Sequence, residues 1–152
     1  MDYANFVLAG LPTSSLDKLQ KVQNWAAKVV LARSKYDISV EALKALHWLP
    51  VKYRIDFKIL CIVYKSLRSM APPYLSNLLK HRTFNRNTRL QTNSVMMLDI
   101  PMIKKKTHAE RSFSVYGPQL WNLLPNHIKL SDNIDTFKKS LKTFSFKEAF
   151  KC

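Results

Sequence analysis

Glycine occurs only twice in the chain, at Gly10 and Gly117. It is the default residue for positive backbone torsions, for tight hairpin turns and for loops that bring backbone close to a phosphate. A chain with two glycines has few places for any of these, so the expected fold is mainly α. Apolar residues make up 47% of the 152 positions, with eight Phe and three Trp, which is enough for a core. We expect one small helical domain over residues 1–152, built around one long central helix.

Apolar spacing sketches the elements. Leu16, Leu19, Val22, Ala26, Val29 and Val30 predict an amphipathic helix from Leu16 to Ala32, with Ser14 and Asp17 as its capping box. Its other face, with Lys18, Gln20, Lys21, Asn24 and Lys28, is either solvated or the edge of a binding surface. After a turn at 34–39, Val40 to Leu46 reads as a short helix capped by Ser39. Pro50 then opens the long helix, Val51 to about Ser69, which holds no Gly or Pro and is apolar around most of its circumference. Pro72 and Pro73 stop it, and Tyr74 to Leu79 allows at most two further turns.

Residues 1–79 thus form a helical part, 80–94 a basic loop and 95–152 a mixed C-terminal part. Within the last, Val95–Ile100 and Arg111–Val115 allow a short β-hairpin near 95–115. Pro118 and Pro125 bracket a short helix or compact turn at 119–124. A final helix from Ile134 to about Phe146, capped by Asp132 or Asn133, buries Ile134, Phe137, Leu141 and Phe144 and turns Lys138, Lys139 and Lys142 outward.

Charge narrows the function. The 25 Lys and Arg against 10 Asp and Glu give a formal charge of +15, far more than solubility requires, and imply a polyanionic partner: nucleic acid or an anionic membrane face. On the long helix Arg54, Lys58, Lys65 and Arg68 fall within roughly ±40° of one another, with Cys61 between them. No carboxylate occurs between Phe57 and Leu98, while Lys80, Arg82, Arg86 and Arg89 add further positive charge. Lys104, Lys105 and Lys106 form a later cluster. These eleven residues are the candidate contacts to RNA or DNA phosphates, with Trp25, Tyr74 or Phe84 available to stack on bases. Trp48 and Trp121, each near a proline, read as core.

Catalytic readings find no support in the residues. The acids are scattered singly, and the near pair Asp132 and Asp135 marks a helix start. His47, His81, His108 and His127 have no partner at metal-ligand spacing. His47 reads as a partly buried histidine satisfied by backbone, and Cys61 as a buried apolar residue. No catalytic residue, metal, cofactor or small-molecule substrate is expected. Cys61 and Cys152 make no disulfide framework, Asp2 stands where a signal peptide needs positive charge, and the longest apolar run, Ile59 to Tyr64, is too short to span a bilayer. An intracellular protein of the nucleus or cytoplasm, not secreted and without membrane attachment, is the expectation.

Several stretches in order carry a family resemblance. Leu19 to Ala27 is similar to a pattern LQ-x-VQN-x-AA; LHWLPV follows at Leu46–Val51, then PPYL at Pro72–Leu75, RSFS at Arg111–Ser114 and LWNLLP at Leu120–Pro125. Taken as an ordered set, the chain resembles, nearly end to end, the region after the polymerase palm in jockey-like non-LTR (LINE) retrotransposon reverse transcriptases. Trp25 stands where that family usually has a small residue. The resemblance implies a thumb-like C-terminal region that helps grip template RNA and primed DNA, none of the family's catalytic residues in this segment, and docking to a reverse transcriptase palm. Because Met1 falls inside what would be continuous family sequence, a truncated copy or partial gene is implied. The expected function is non-catalytic grip of RNA or an RNA–DNA hybrid through phosphates. The alternative is a structural relic or a reused protein-interaction module.

Overall fold

The computed structural model describes residues 5–82, 96–102 and 110–151. The fold is mainly helical, a small helical domain. A short 3-10 turn, Asn5–Leu8, precedes α1 (Thr13–Val30), α2 (Ser39–Ala45), α3 (Val51–Leu67) and the single turn α4 (Pro73–Ser76). Then come α5 (Phe113–Leu123), the single turn α6 (Asn126–Lys129) and α7 (Ile134–Phe150). Two compact units are built from them: Met1–Phe57 with Lys142–Cys152, and Lys58–Leu141.

In the first unit Ala27, Ala42 and Leu43 are buried together, and Leu31, Leu46, Trp48 and Phe150 pack against them. The orientation of α1 departs from the expected one. Gln23 is buried and donates from Nε2 to the Leu49 carbonyl at 2.8 Å, while the Gln20 Oε1 accepts from the Val51 N–H at 2.8 Å. Gln20 also donates to Gln23 and to Asn24, at 3.1 and 2.8 Å. The first backbone donor of α3 is thereby satisfied by a side chain of α1, as a helix start requires. Turning the glutamines inward turns Val22, Trp25 and Val29 outward, at 50%, 58% and 76% exposure. Nor does a capping box form: α1 starts directly after Pro12 without a side-chain cap, so Ser14 lies inside the helix.

Scarce glycine shows at the helix ends. Among the described residues Ala32, His47, Ser69 and Lys151 have φ of 50°, 54°, 55° and 44°. Three of them close helices in a Schellman-type pattern, in which the following N–H reaches back five residues. The Arg33 N–H donates to the Lys28 carbonyl, Trp48 to Leu43 and Met70 to Lys65, at 2.9, 2.9 and 2.8 Å. His47 is therefore an exposed helix terminator, its ring 5.6 Å from that of Phe146, and not the partly buried residue expected.

In the second unit Tyr64 stacks on Phe137 at 4.3 Å, and Trp121 lies 6.0 Å from the same Phe137 ring; all three are at most 2% exposed. Gly117 is buried in α5, where Val63 approaches so closely that a Cβ would stand 3.0 Å from its Cγ2. No hairpin joins residues 96–100 to 111–115, since Phe113–Val115 opens α5. Leu98 instead forms an isolated antiparallel bridge with His81. On that edge the Arg82 N–H donates to the Met97 carbonyl at 3.0 Å and the Asp99 N–H to the Lys80 carbonyl at 2.8 Å. On the other edge Asn122 holds both backbone groups of Leu98. With both of its backbone groups held by Asn122 and its neighbours paired with residues 80 and 82, Leu98 has no free backbone group to offer a second strand. α5 also starts before Pro118 and runs through it, in place of the short helix or compact turn expected at 119–124.

Candidate nucleic-acid interface

The long helix presents its basic stripe much as spacing predicted. Lys58, Lys65 and Arg68 are exposed, and Arg54, which belongs to the first unit, is half-buried. Lys58 and Lys65 stand seven residues apart on one face, about 10 Å along the axis. Arg68 is partly committed to structure: its Nη2 donates to the Ser131 carbonyl at 2.9 Å, and its guanidinium lies 5.3 Å from the Tyr64 ring centroid. The Tyr64 hydroxyl donates to the same carbonyl at 2.7 Å.

A residue outside the predicted set joins the stripe. Lys138 of α7 acts electrostatically on the Cys61 thiol together with Lys58 and Lys65. Burial nevertheless pushes the Cys61 pKa up to about 11, because desolvating a thiolate outweighs three nearby ammonium groups. Lys138 also pairs with Asp135 at 3.2 Å, an exposed contact of small energetic weight. The sequence placed Lys138 outward on the last helix, but only its position beside Phe137, which stacks on Tyr64, brings it to α3.

Lys80 and Arg82 form a separate feature. Both are exposed and flank His81, on the strand-like stem that holds Met97 and Asp99. Arg86, Arg89, Lys104, Lys105 and Lys106 lie outside the described residues. Of the aromatic candidates, Trp25 and Tyr74 are exposed at 58% and 66%, and Phe84 lies outside the described residues; Trp121, read as core, is buried at 2%.

Chemically, this arrangement is a set of flexible cations with few carboxylates among them. Such a surface attracts phosphates without reading bases. Among the described residues no group of three His, Cys, Asp or Glu side chains is placed to hold a metal ion, and no helix is long and apolar enough to cross a membrane. The chain matches no protein-family model, no curated protein and no solved structure.

Proposed function

We propose that this chain binds RNA or an RNA–DNA hybrid through the phosphate backbone, as the C-terminal, post-palm region of a jockey-like LINE reverse transcriptase. The observation that carries the reading is the convergence of Lys58, Lys65 and Lys138, three residues of one unit drawn from two helices, in a chain of net charge +15. The ordered motifs LHWLPV, PPYL, RSFS and LWNLLP support the family. In this reading the chain works inside the cell, without catalysis, cofactor or small-molecule substrate, and grips what a separate polymerase palm extends.

Fluorescence anisotropy with a labelled RNA hairpin and an RNA–DNA hybrid, across several salt concentrations, tests it. Binding should weaken log-linearly with salt, with a slope of about −0.7 to −0.9 for each phosphate contacted. Absence of binding at low salt, or binding with no salt slope, would remove the reading. The outward apolar positions of α1 favour a second reading, a protein-docking module such as one that seats against a palm. A discrete protein partner recovered after nuclease treatment would support it.

A further inference from the structure

One face of α1 carries more than charge. Trp25 is 58% exposed, Lys21 precedes it by four residues and Lys28 follows it by three. At 100° per residue all three lie within about 60° of one another, on one side of the helix. Lys28 does not reach away into solvent: its Nζ donates to the Lys35 carbonyl at 2.8 Å, which ties this face to the turn after α1. There Tyr36 is 83% exposed, with the Lys35 ammonium 4.8 Å from its ring centroid. Two exposed aromatic rings, each with a lysine beside it, therefore stand on two segments of the first unit that the Lys28–Lys35 contact joins.

We infer that this surface is a stacking track for single-stranded nucleic acid, with Trp25 and Tyr36 as base platforms and Lys21 and Lys35 as phosphate contacts. The inference rests on the nucleic-acid reading above and adds to it a strand type and a second set of residues. Aromatic rings interleaved with cations recognise unpaired strands, because every base offers a π-face and the backbone runs alongside. Duplex bases are already stacked and offer no such face. A protein partner fits this surface less well. Interface anchors sit near the centre of an apolar patch, whereas Trp25 lies on the lysine side of Val22 and Val29. A second copy of the chain is opposed by its own charge of +15.

The test uses the full chain with two probes, a short oligothymidylate and a DNA duplex of matched length. Oligothymidylate should quench tryptophan emission in the native chain. Trp25→Phe should abolish the quench while keeping affinity within about twofold, since phenylalanine still stacks. Trp25→Ala should weaken oligothymidylate binding roughly tenfold, and Tyr36→Ala by a similar factor, with duplex affinity unchanged. Both side chains are exposed, so these variants keep the fold. A quench that survives in Trp25→Phe, or Ala variants that bind oligothymidylate as the native chain does, overturns the inference. Equal weakening on duplex overturns it as well. If duplex binding stays normal while the Trp25 and Tyr36 effects are absent, only the stacking track falls and the surface is left to a protein partner. If neither probe nor RNA binds at low salt, the phosphate reading falls with it.

Discussion

Asn122 replaces a β-strand partner for Leu98: its Oδ1 accepts from the Leu98 N–H at 2.9 Å, and its Nδ2 donates to the Leu98 carbonyl at 2.9 Å. One residue earlier on α5, the Trp121 indole N–H donates to the Met96 carbonyl at 2.8 Å. The LWNLLP stretch thus acts as a clamp on residues 96–98, and through them on the stem that carries Lys80 and Arg82. Asn122→Ala leaves two backbone groups of a residue only 1% exposed without partners. The expected cost is about 2–6 kcal/mol, at roughly 1–3 kcal/mol for each buried unsatisfied group. Denaturant unfolding together with amide exchange at Leu98 measures it. An alanine variant of native stability with a protected Leu98 amide would show that the clamp is dispensable.

The left-handed helix ends make a prediction with an internal control. An L-residue held at positive φ costs roughly 1–2 kcal/mol, and glycine gives back part of the gain through the entropy of its unfolded chain. Ala32→Gly and Ser69→Gly should each stabilise the protein by about 0.5–1 kcal/mol. Ala26→Gly, inside α1, should cost about 1 kcal/mol. Thermal melts followed by helical circular dichroism compare the three. A destabilising Ala32→Gly would contradict the strain assigned to that position.

How much of this was legible in the sequence varies with the kind of interaction. The long helix was, because proline fixes its entry at Pro50 and its exit before Pro72, and its interior holds no breaker. The face that α1 buries was not. Periodicity counts apolar residues, whereas the seam of α1 includes Gln20 and Gln23, whose side-chain amides satisfy backbone groups of Leu49 and Val51. Val22 and Val29 match the apolar template and are nonetheless exposed. Likewise, strand spacing around Leu98 was visible, but one edge pairs only with residues 80–82 and the other with the Asn122 side chain, which no alternation pattern encodes. Of the candidate interface, Lys58 and Lys65 followed from spacing on one helix. Lys138 needed the stacking of Tyr64 on Phe137, a contact between residues distant in the chain.

Lys58 and Lys65 supply the functional prediction. Lys58→Gln with Lys65→Gln removes two exposed charges without touching the core, so stability should stay within about 0.5 kcal/mol of the native chain. RNA binding should weaken at low salt, and the salt slope should become shallower by about 0.7–0.9 for each phosphate that the variant no longer neutralises. An unchanged slope would place the phosphate-binding residues elsewhere on the surface.

Cys61 is predicted to be inert while the chain is folded. Its thiol is buried, and its pKa of about 11 lies above the ordinary value of 9.0, so almost no thiolate forms near neutral pH. In a Cys152→Ser background, where Cys61 is the sole thiol, thiol reagents should modify the protein only at the rate at which it opens. The same shift has a pH consequence. Between 9.0 and about 11 the unfolded chain ionises its thiol while the folded chain does not, so stability falls across that window by roughly 2–3 kcal/mol. Cys61→Ala should remove the fall, which denaturant titrations at several alkaline pH values would detect.

Lys129 acts in the opposite sense. It is buried at 3% exposure, its Nζ donates to the Asn122 carbonyl at 3.4 Å, and burial lowers its pKa from 10.5. As pH rises through the lowered value, the folded chain releases this proton while the unfolded chain still holds it. The unfolded state then binds more protons, and stability rises with pH until 10.5 is passed. Below both values the protonated lysine carries a desolvation cost, which its long hydrogen bond to the Asn122 carbonyl partly offsets. Lys129→Met fills a similar volume without a charge, so the variant should be at least as stable as the native chain near neutral pH and should lack the alkaline gain. Because Cys61 pulls the other way above 9.0, the comparison belongs in a Cys61→Ala background. There the native lysine should give a rising stability curve and the methionine a flat one. A flat curve with Lys129 intact would mean that its ammonium is hydrated in the folded protein.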